Sequence, residues 1–446
     1  MSVRRDSAQA SPNPFVHARA LIPEEGIDRL EGRHLLDMAE GGHNAVLHAP
    51  RRFGKTSLLK QVLQGAEKHD IPGVLVDLSD VLSVADVAAR LEQAFRGLPG
   101  NIQRLISKEL GSVAITTPIA GLSFTRRNPP SDPIAAVHTL LELPARIADR
   151  RGKRVLVVLD EFQSLIALDG MDGVFRSHIQ HHNDVSYLFA GSEPSLLRTL
   201  FEDRARPLYS QAERLRLGRL DPDATHDFLS GRFEASGMDA AAIIPDLVYV
   251  AEGHPQRLML VAHLLWDRVG TANEATLADL RSAYDAAMRA VDPELRYLWD
   301  SLGTNERRVL AALASGLSPY QQEAQLLMGL AGGGSAARAT RALEGKAIVE
   351  RVEDDERLRI VDPLFARWVR RHGGARAQVY VFPQAGRFAV TDGPSLAFLR
   401  STHETLSEAE ADADRIVASA RGGDVMIYDT DDPNELPDWA VPRTDP

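Results

Sequence analysis

The 446-residue sequence predicts an α/β protein: a parallel sheet covered by helices, followed by an all-helical region and two smaller mixed units. Three observations predict it. Short apolar runs of strand length alternate with helical patterns as far as about residue 220. One run, Arg154-Val-Leu-Val-Val-Leu159, is almost wholly apolar, as a central parallel strand with both faces covered requires. Beyond residue 220 such runs stop and helical spacing takes over.

The elements follow in order. Residues 1–20 are polar and Pro-containing and are expected to be a flexible leader. Residues 21–43 carry a helical pattern with Leu30, Leu35, Leu36 and Met38 as its apolar positions. Asn44-Ala-Val-Leu-His48 is a buried-strand pattern, and a helix continues from Ser57. Gly73-Val-Leu-Val-Asp-Leu78 is a second strand and 83–97 a second helix. Residues 98–133 read as an insertion, with a β-hairpin at Ser112–Thr117 and Leu122–Thr125 turning through Pro118–Gly121. Helix returns at 134–150, then strand at 154–159, helix at 172–181 and strand at 186–190. The core therefore spans 21–220, and 221–292 is a helical lid domain with an apolar stripe at Leu258–Trp266. Residues 293–373 give helices, Gly332-Gly-Gly334, another helix and two short strands at Ala347–Val352 and Leu358–Val361, the order of a winged helix. Residues 374–430 form a small ββαβ unit, and 431–446 an acidic, Pro-containing tail expected to be disordered.

Composition narrows the function classes. A net charge of -11 argues against a protein that coats nucleic acid by bulk charge, though not against one local basic surface. The absence of cysteine excludes disulfides, thiolate metal sites and cysteine nucleophiles. No segment has the roughly 18 apolar residues of a membrane span, and no signal-peptide pattern opens the chain. The expectation is a cytoplasmic protein without membrane partners.

The chemistry concentrates at strand ends. Ala49-Pro50-Arg51-Arg52-Phe53-Gly54-Lys55-Thr56-Ser57 follows a strand and opens a helix. It matches the P-loop pattern except that Ala49 replaces the first Gly. Backbone N–H groups of such a loop and the helix N-terminus face phosphates. Gly54 admits close approach, Lys55 reaches the β- and γ-phosphates, and Thr56 offers a hydroxyl to Mg²⁺. Asp160 and Glu161 end the apolar strand at the sheet edge where α/β ligands bind. Asp160 is placed to hold Mg²⁺ and Glu161 to polarise the attacking water. Ser192, at a third strand end, reads either as a sensor of the γ-phosphate or as the N-cap of the next helix. Arg204, Arg206, Arg214, Arg216 and Arg219 include candidates for an arginine finger beside many that only solubilise.

These residues, with Leu159-Asp-Glu-Phe-Gln163, Phe189-Ala-Gly-Ser192, Arg206-Pro-Leu-Tyr209 and Gly253-His-Pro255, resemble the archaeal-type ATPases and their bacterial relatives. Those are P-loop ATPases of the STAND class, cousins of AAA+ proteins and of archaeal replication initiators. The resemblance covers about residues 20–372 and includes Val361-Asp-Pro-Leu-Phe-Ala-Arg-Trp368 at the end of the winged helix. It implies that Ile27, Asp28 and Arg29 pack by the adenine and that His254 and Pro255 of the lid touch the nucleotide. It implies ATP or ADP with Mg²⁺ as ligands, and a switch that closes, assembles with itself or a protein partner, and resets on hydrolysis. The sequence departs from the family at Ser210-Gln211, where Gly-Arg commonly follows Pro-Leu-Tyr. The usual finger is then missing or replaced by Arg214, which points to slow turnover. The C-terminal unit resembles short bacterial ββαβ modules of unknown function.

The winged helix reads two ways. Arg338 and Arg341, one turn apart, with Lys346, Arg351, Arg357 and Arg359 nearby, suit DNA. Glu353-Asp-Asp-Glu356 at the wing position opposes phosphates, and winged helices also bind proteins. His178, His181 and His182 lie at helical spacing without a completing carboxylate motif and read as a polar helix face.

Overall fold

The computed structural model describes residues 12–112, 132–271, 273–330, 332–352, 357–393, 396–420, 423–428 and 430. The chain divides into two compact units, Ala20–Gly218 and Arg219 onward together with the N-terminal segment through Arg19.

The first unit runs α1 (Leu30–Gly41), β1 (Ala45–His48), α2 (Lys55–Lys68), β2 (Gly73–Asp77), α3 (Val84–Arg96), α4 (Gly100–Gln103), α5 (Ser107–Ser112), α6 (Pro133–Leu141), α7 (Leu143–Arg151), β3 (Val155–Asp160), α8 (Met171–Ile179), β4 (Val185–Gly191), α9 (Pro194–Glu202) and β5 (Glu213–Arg216). Its five strands stand in the order β2-β3-β4-β1-β5 and every pairing is parallel. Every residue of β3 and β4 is buried, as apolar strands between two helical layers must be. Phe162, Phe175, Phe189 and Phe201 fill the core behind them.

Three sequence readings change here. The helical pattern over 21–43 yields a helix only from Leu30, because Pro23 opens a short 3₁₀ turn and Gly26 and Arg29 are extended. The helix at 134–150 is two helices meeting at Glu142, with Pro144 in the first turn of the second. Glu213-Arg-Leu-Arg216 is a strand, paired with β1 at the sheet edge. Its charges hid it from a hydrophobic reading and suit an unprotected edge. The expected hairpin lies outside the described residues from residue 113 on, and Ser112 ends α5.

The second unit continues with α10 (Pro222–Ser236), α11 (Ile244–Ala251), α12 (Pro255–Val269), α13 (Leu277–Asp300), α14 (Thr304–Ala314), α15 (Gln322–Met328), α16 (Gly332–Gly345), β6 (Val349–Arg351), β7 (Leu358–Ile360), α17 (Pro363–His372), β8 (Ala377–Gln384), β9 (Arg387–Thr391), β10 (Leu399–His403), α18 (Leu406–Ser419) and β11 (Gly423–Ile427). From α14 to β7 three helices precede an antiparallel two-stranded hairpin, the winged-helix order. The proposed lid boundary at 292 falls inside α13, which continues through Pro293 because Leu280, Ala283, Ala287, Val291 and Leu295 keep one face buried. The last unit has a strand more than the expected ββαβ: β10 joins β9, giving the sheet order β10-β9-β8-β11. Alternation in Leu399–His403 is intermediate and exposed, so no apolar period announced it.

The leader is not free along its described length. Phe15 is fully buried, with its ring centroid 4.6 Å from that of Phe233. Asn13 donates to the His263 carbonyl at 3.0 Å, and the His263 ring donates to the Phe15 carbonyl at 2.6 Å. Residues 431–446, expected as a tail, lie outside the described residues.

Candidate functional site

The site is built where β1, β3 and β4 end. β1 stops at His48, and the loop Ala49–Gly54 leads into α2. Ala49 and Phe53 are fully buried, and the Ala49 N–H donates to the Gly191 carbonyl at 3.3 Å, so β4 anchors the loop entry. Arg52 and Gly54 both take left-handed backbone, φ 68 and 82. At Gly54 a Cβ would meet nothing within 4 Å. The glycine is thus required by its dihedral, not by crowding, and space stays open above the loop. Gly54 N-caps α2 without a side-chain cap bond, leaving the first amides of a 14-residue helix for another acceptor.

Lys55 is only 7% exposed and ion-paired to two carboxylates, Asp160 Oδ1 at 2.5 Å and Glu161 Oε1. Thr56 Oγ1 donates to Asp160 Oδ2 at 3.0 Å. Four side chains singled out in the sequence are therefore joined by three contacts between residues 104 to 106 positions apart. Glu161 sits at φ 53, a left-handed turn that swings it off the strand line. Its Oε2 accepts from Ser192 Oγ at 2.8 Å and from Gln163 Nε2 at 2.5 Å. Burial alone would raise the Glu161 carboxyl, but the Lys55 charge and the Lys55, Gln163 and Ser192 hydrogen bonds hold it below the usual carboxylate range. It stays ionised at neutral pH.

The sequence left Ser192 open between a sensor of the γ-phosphate and a helix N-cap. Its hydroxyl serves Glu161, and the N-cap of α9 is Glu193. Gln163 and Gly191 carry parts of the site that the sequence reading assigned no role. Gln163 is 5% exposed, its Oε1 has no hydrogen-bond partner, and a Cβ on Gly191 would stand 2.0 Å from that oxygen. Gly191 thus makes room for the side chain that holds Glu161. In the sequence both stood at strand ends within the quoted motifs Leu159–Gln163 and Phe189–Ser192.

A magnesium ion fits this donor set. The Thr56 hydroxyl and the Asp160 carboxylate are hard oxygen ligands already 3.0 Å apart, the type and number that protein supplies to Mg²⁺ beside phosphates. Among the described residues no cluster of three or more His, Asp or Glu is arranged to hold a metal. His178 pairs with His138 at 2.8 Å and His182 with the Tyr187 hydroxyl at 2.7 Å.

No family model and no curated protein matches the chain. Solved structures do. A Walker-type ATPase of Pyrococcus abyssi is 20% identical over 80% of this chain and 99% of its own, with TM-score 0.59. The ORC2 protein of Aeropyrum pernix, solved as ADPNP–ADP complexes, is 14% identical over 79% of this chain and 93% of its own, with TM-score 0.53. The chain has the fold of the Walker-type P-loop ATPases.

Within this P-loop fold the remaining candidates fall as follows. Arg29 is nearly buried and donates to the Gly218 carbonyl at 2.7 Å, to Glu31 at 2.9 Å and to the Phe53 carbonyl at 3.4 Å, tying the loop to the end of the unit. The Ile27 carbonyl accepts from Gln61 of α2, and Asp28 pairs with Arg33 at the surface. Ser57 Oγ accepts from the Leu21 N–H at 2.9 Å. Pro50 is buried, while Arg51 is exposed and faces Glu193 at 3.7 Å. Arg214 pairs with Glu202 at 2.7 Å and makes no ion pair with the Lys55 group among the described residues. His254 and Pro255 belong to the other unit. His254 is 2% exposed, N-caps α12, and burial pushes its imidazole down to about 4, with Asp362 opposing and Arg257 and Arg219 adding to the shift. Among the described residues no helix is long and apolar enough to cross a membrane.

Proposed function

We propose that the chain binds ATP and ADP with Mg²⁺ at residues 49–57 and hydrolyses ATP slowly as a regulatory switch, in the cytoplasm, with lid closure controlling assembly or partner binding. The observation that carries this reading is the group Lys55–Asp160–Glu161–Thr56, gathered at the C-terminal edge of the sheet beside the N-terminus of α2. The nucleotide complexes of the Aeropyrum pernix protein support it. Thr56 and Asp160 would hold Mg²⁺, which when bound neutralises charge on the transferring phosphoryl group. Lys55 now spends its charge on two carboxylates. A triphosphate offers a denser anion, so Lys55 exchanges Glu161 for phosphate on binding. That exchange frees one oxygen of Glu161 while Gln163 and Ser192 keep the other in place. Glu161, ionised and half-buried, then orients a water and accepts its proton. Ile27–Arg29 and His254–Pro255 remain our candidates for the adenine side and the lid contact. Arg214 is the candidate finger, which requires it to leave Glu202.

The test is Mg²⁺-dependent phosphate release. Glu161→Gln should bind ATP yet turn over about 10²- to 10⁴-fold more slowly, the scale of a lost general base. Undiminished turnover in that variant would refute the role. A second reading, a nucleotide-dependent DNA-binding regulator, is favoured by the exposure of Arg338 and Arg341 on α16.

A further inference from the structure

Where α17 meets the last unit, three arginines face one carboxylate, with Arg370 nearby. Arg367 is 3% exposed, stacks over the Phe398 ring at 4.4 Å, and donates to both the carbonyl and Oδ1 of Asp392. Its Nε has no hydrogen-bond partner among the described residues. Oδ2 of the same Asp392 faces Arg400 at 3.7 Å and Arg371 at 4.0 Å, both too long for a hydrogen bond. The side chains of Arg371 and Arg400 donate no hydrogen bond among the described residues, and both reach the surface. Arg370 is engaged on the Ala314 carbonyl at 3.1 Å.

The charges do not balance internally. The Asp392 carboxylate already answers the buried Arg367, and Arg371, Arg370 and Arg400 each act on Arg367 as like charges. Asp285 attracts Arg371, while Arg400 and Arg370 repel it. Free, exposed guanidinium groups ordinarily swing apart to lower such repulsion. Here the stacked, doubly bonded Arg367 and the pairing of β9 with β10 fix the ground on which they stand. Two planar forks held only by long ion pairs to one shared carboxylate leave their N–H donors for bidentate recognition of a tetrahedral oxyanion.

We propose that Arg371 and Arg400 form a phosphate-binding site, separate from the P-loop, with the Arg367–Asp392 pair as its floor. Arg371 comes from α17 and Arg400 from β10, so the site exists only when the last unit is docked against α17. This gives the C-terminal unit a function: it completes an anion site. The phosphate is carried by a nucleic-acid backbone or by a small phosphate compound, and the proposal does not rest on ATP hydrolysis.

The experiment uses the full chain with its P-loop filled by excess ADP and Mg²⁺. Two probes are titrated: a fluorescein-labelled mixed-sequence duplex DNA by anisotropy, and inorganic pyrophosphate by calorimetry. If the source is nucleic acid, R371A/R400A weakens duplex binding at least about tenfold and makes the log K against log salt slope shallower by about 1.8, while R338A/R341A changes it separately. If the source is a small phosphate compound, pyrophosphate binding is lost in R371A/R400A and the duplex is unaffected. The single variant R400A, at a half-exposed strand residue, should lower affinity for the responding probe about threefold and serves if the double variant melts early. ADP affinity and the melting curve report intact folding. The proposal is overturned if both variants bind both probes as the unaltered protein does.

Discussion

Gly191→Ala tests whether the floor of the P-loop site positions Glu161. A methyl group at Gly191 would lie 2.0 Å from Gln163 Oε1 and 2.9 Å from Leu197 Cδ1. Acceptable contacts begin near 3.0 Å, so the Gln163 amide must retreat by about 1 Å. That is cheap for the fold, because the nearest atom is the end of a flexible side chain; overpacking of this kind costs about 1–3 kcal/mol. It is costly for the site, because Gln163 Nε2 is 2.5 Å from Glu161 Oε2 and the same movement breaks that bond. A hydrogen bond to a charged group contributes about 1.5–3 kcal/mol, which corresponds to a roughly 10- to 150-fold loss in kcat. ATP affinity should change little, since the P-loop itself is untouched. Phosphate release under saturating ATP measures the first quantity and calorimetric titration of ATP the second. Gln163→Ala supplies the control: it removes both the bond and the clash, so adding Gly191→Ala to it should cost little more. Turnover in Gly191→Ala equal to that of the parent, or losses that simply add in the double variant, would refute the positioning role.

Acid should destabilise the second unit through His254. Its folded value near 4 lies below the usual 6.5, mainly through burial, so the unfolded chain binds the proton first as pH falls. The stabilisation is full above about pH 6.5 and is lost on the way to about pH 4, amounting to about 2 kcal/mol between about pH 7 and about pH 5. Urea midpoints at the two pH values should show it, and His254→Asn, which keeps an N-cap acceptor without a titrating ring, should remove that part of the pH dependence. Phe15→Ala should cost about 3–5 kcal/mol, as for a fully buried aromatic. A urea melt that Phe15→Ala leaves unmoved would mean that the N-terminal segment contributes nothing to the fold.

Much of the first unit was legible because its determinants are local. The apolar run of β3 needed nothing beyond its own composition to be read as a central strand. Gly54-Lys55-Thr56 after β1 and Asp160-Glu161 at the end of β3 fixed which residue types stood at strand ends on one edge of the sheet, since parallel strands all terminate on the same edge. Charge also left its mark, in that Arg338 and Arg341 are both exposed on α16. What stayed hidden depends on partners far along the chain. Glu213–Arg216 is polar and becomes a strand only because β1 offers it a free edge. Leu399–His403 is likewise recruited by β9. Phe15 in a polar leader looked free until Phe233, more than two hundred residues later, was seen against it.

The same division runs through the sites. Sequence by itself determined the chemical inventory: a phosphate loop, two carboxylates, a lysine, a hydroxyl and an excess of arginines near the C-terminal end. Tertiary structure decided how that inventory is connected. It put Lys55 on both carboxylates, gave the Ser192 hydroxyl to Glu161, and made Gln163 and Gly191 a matched pair. It also brought Arg371 and Arg400 from different elements to one aspartate. The physical reason is range. Backbone propensity and hydrophobic period act over a few residues and are written in order along the chain, whereas charge pairing, packing and hydrogen bonding act over a few ångströms and have no fixed separation in sequence.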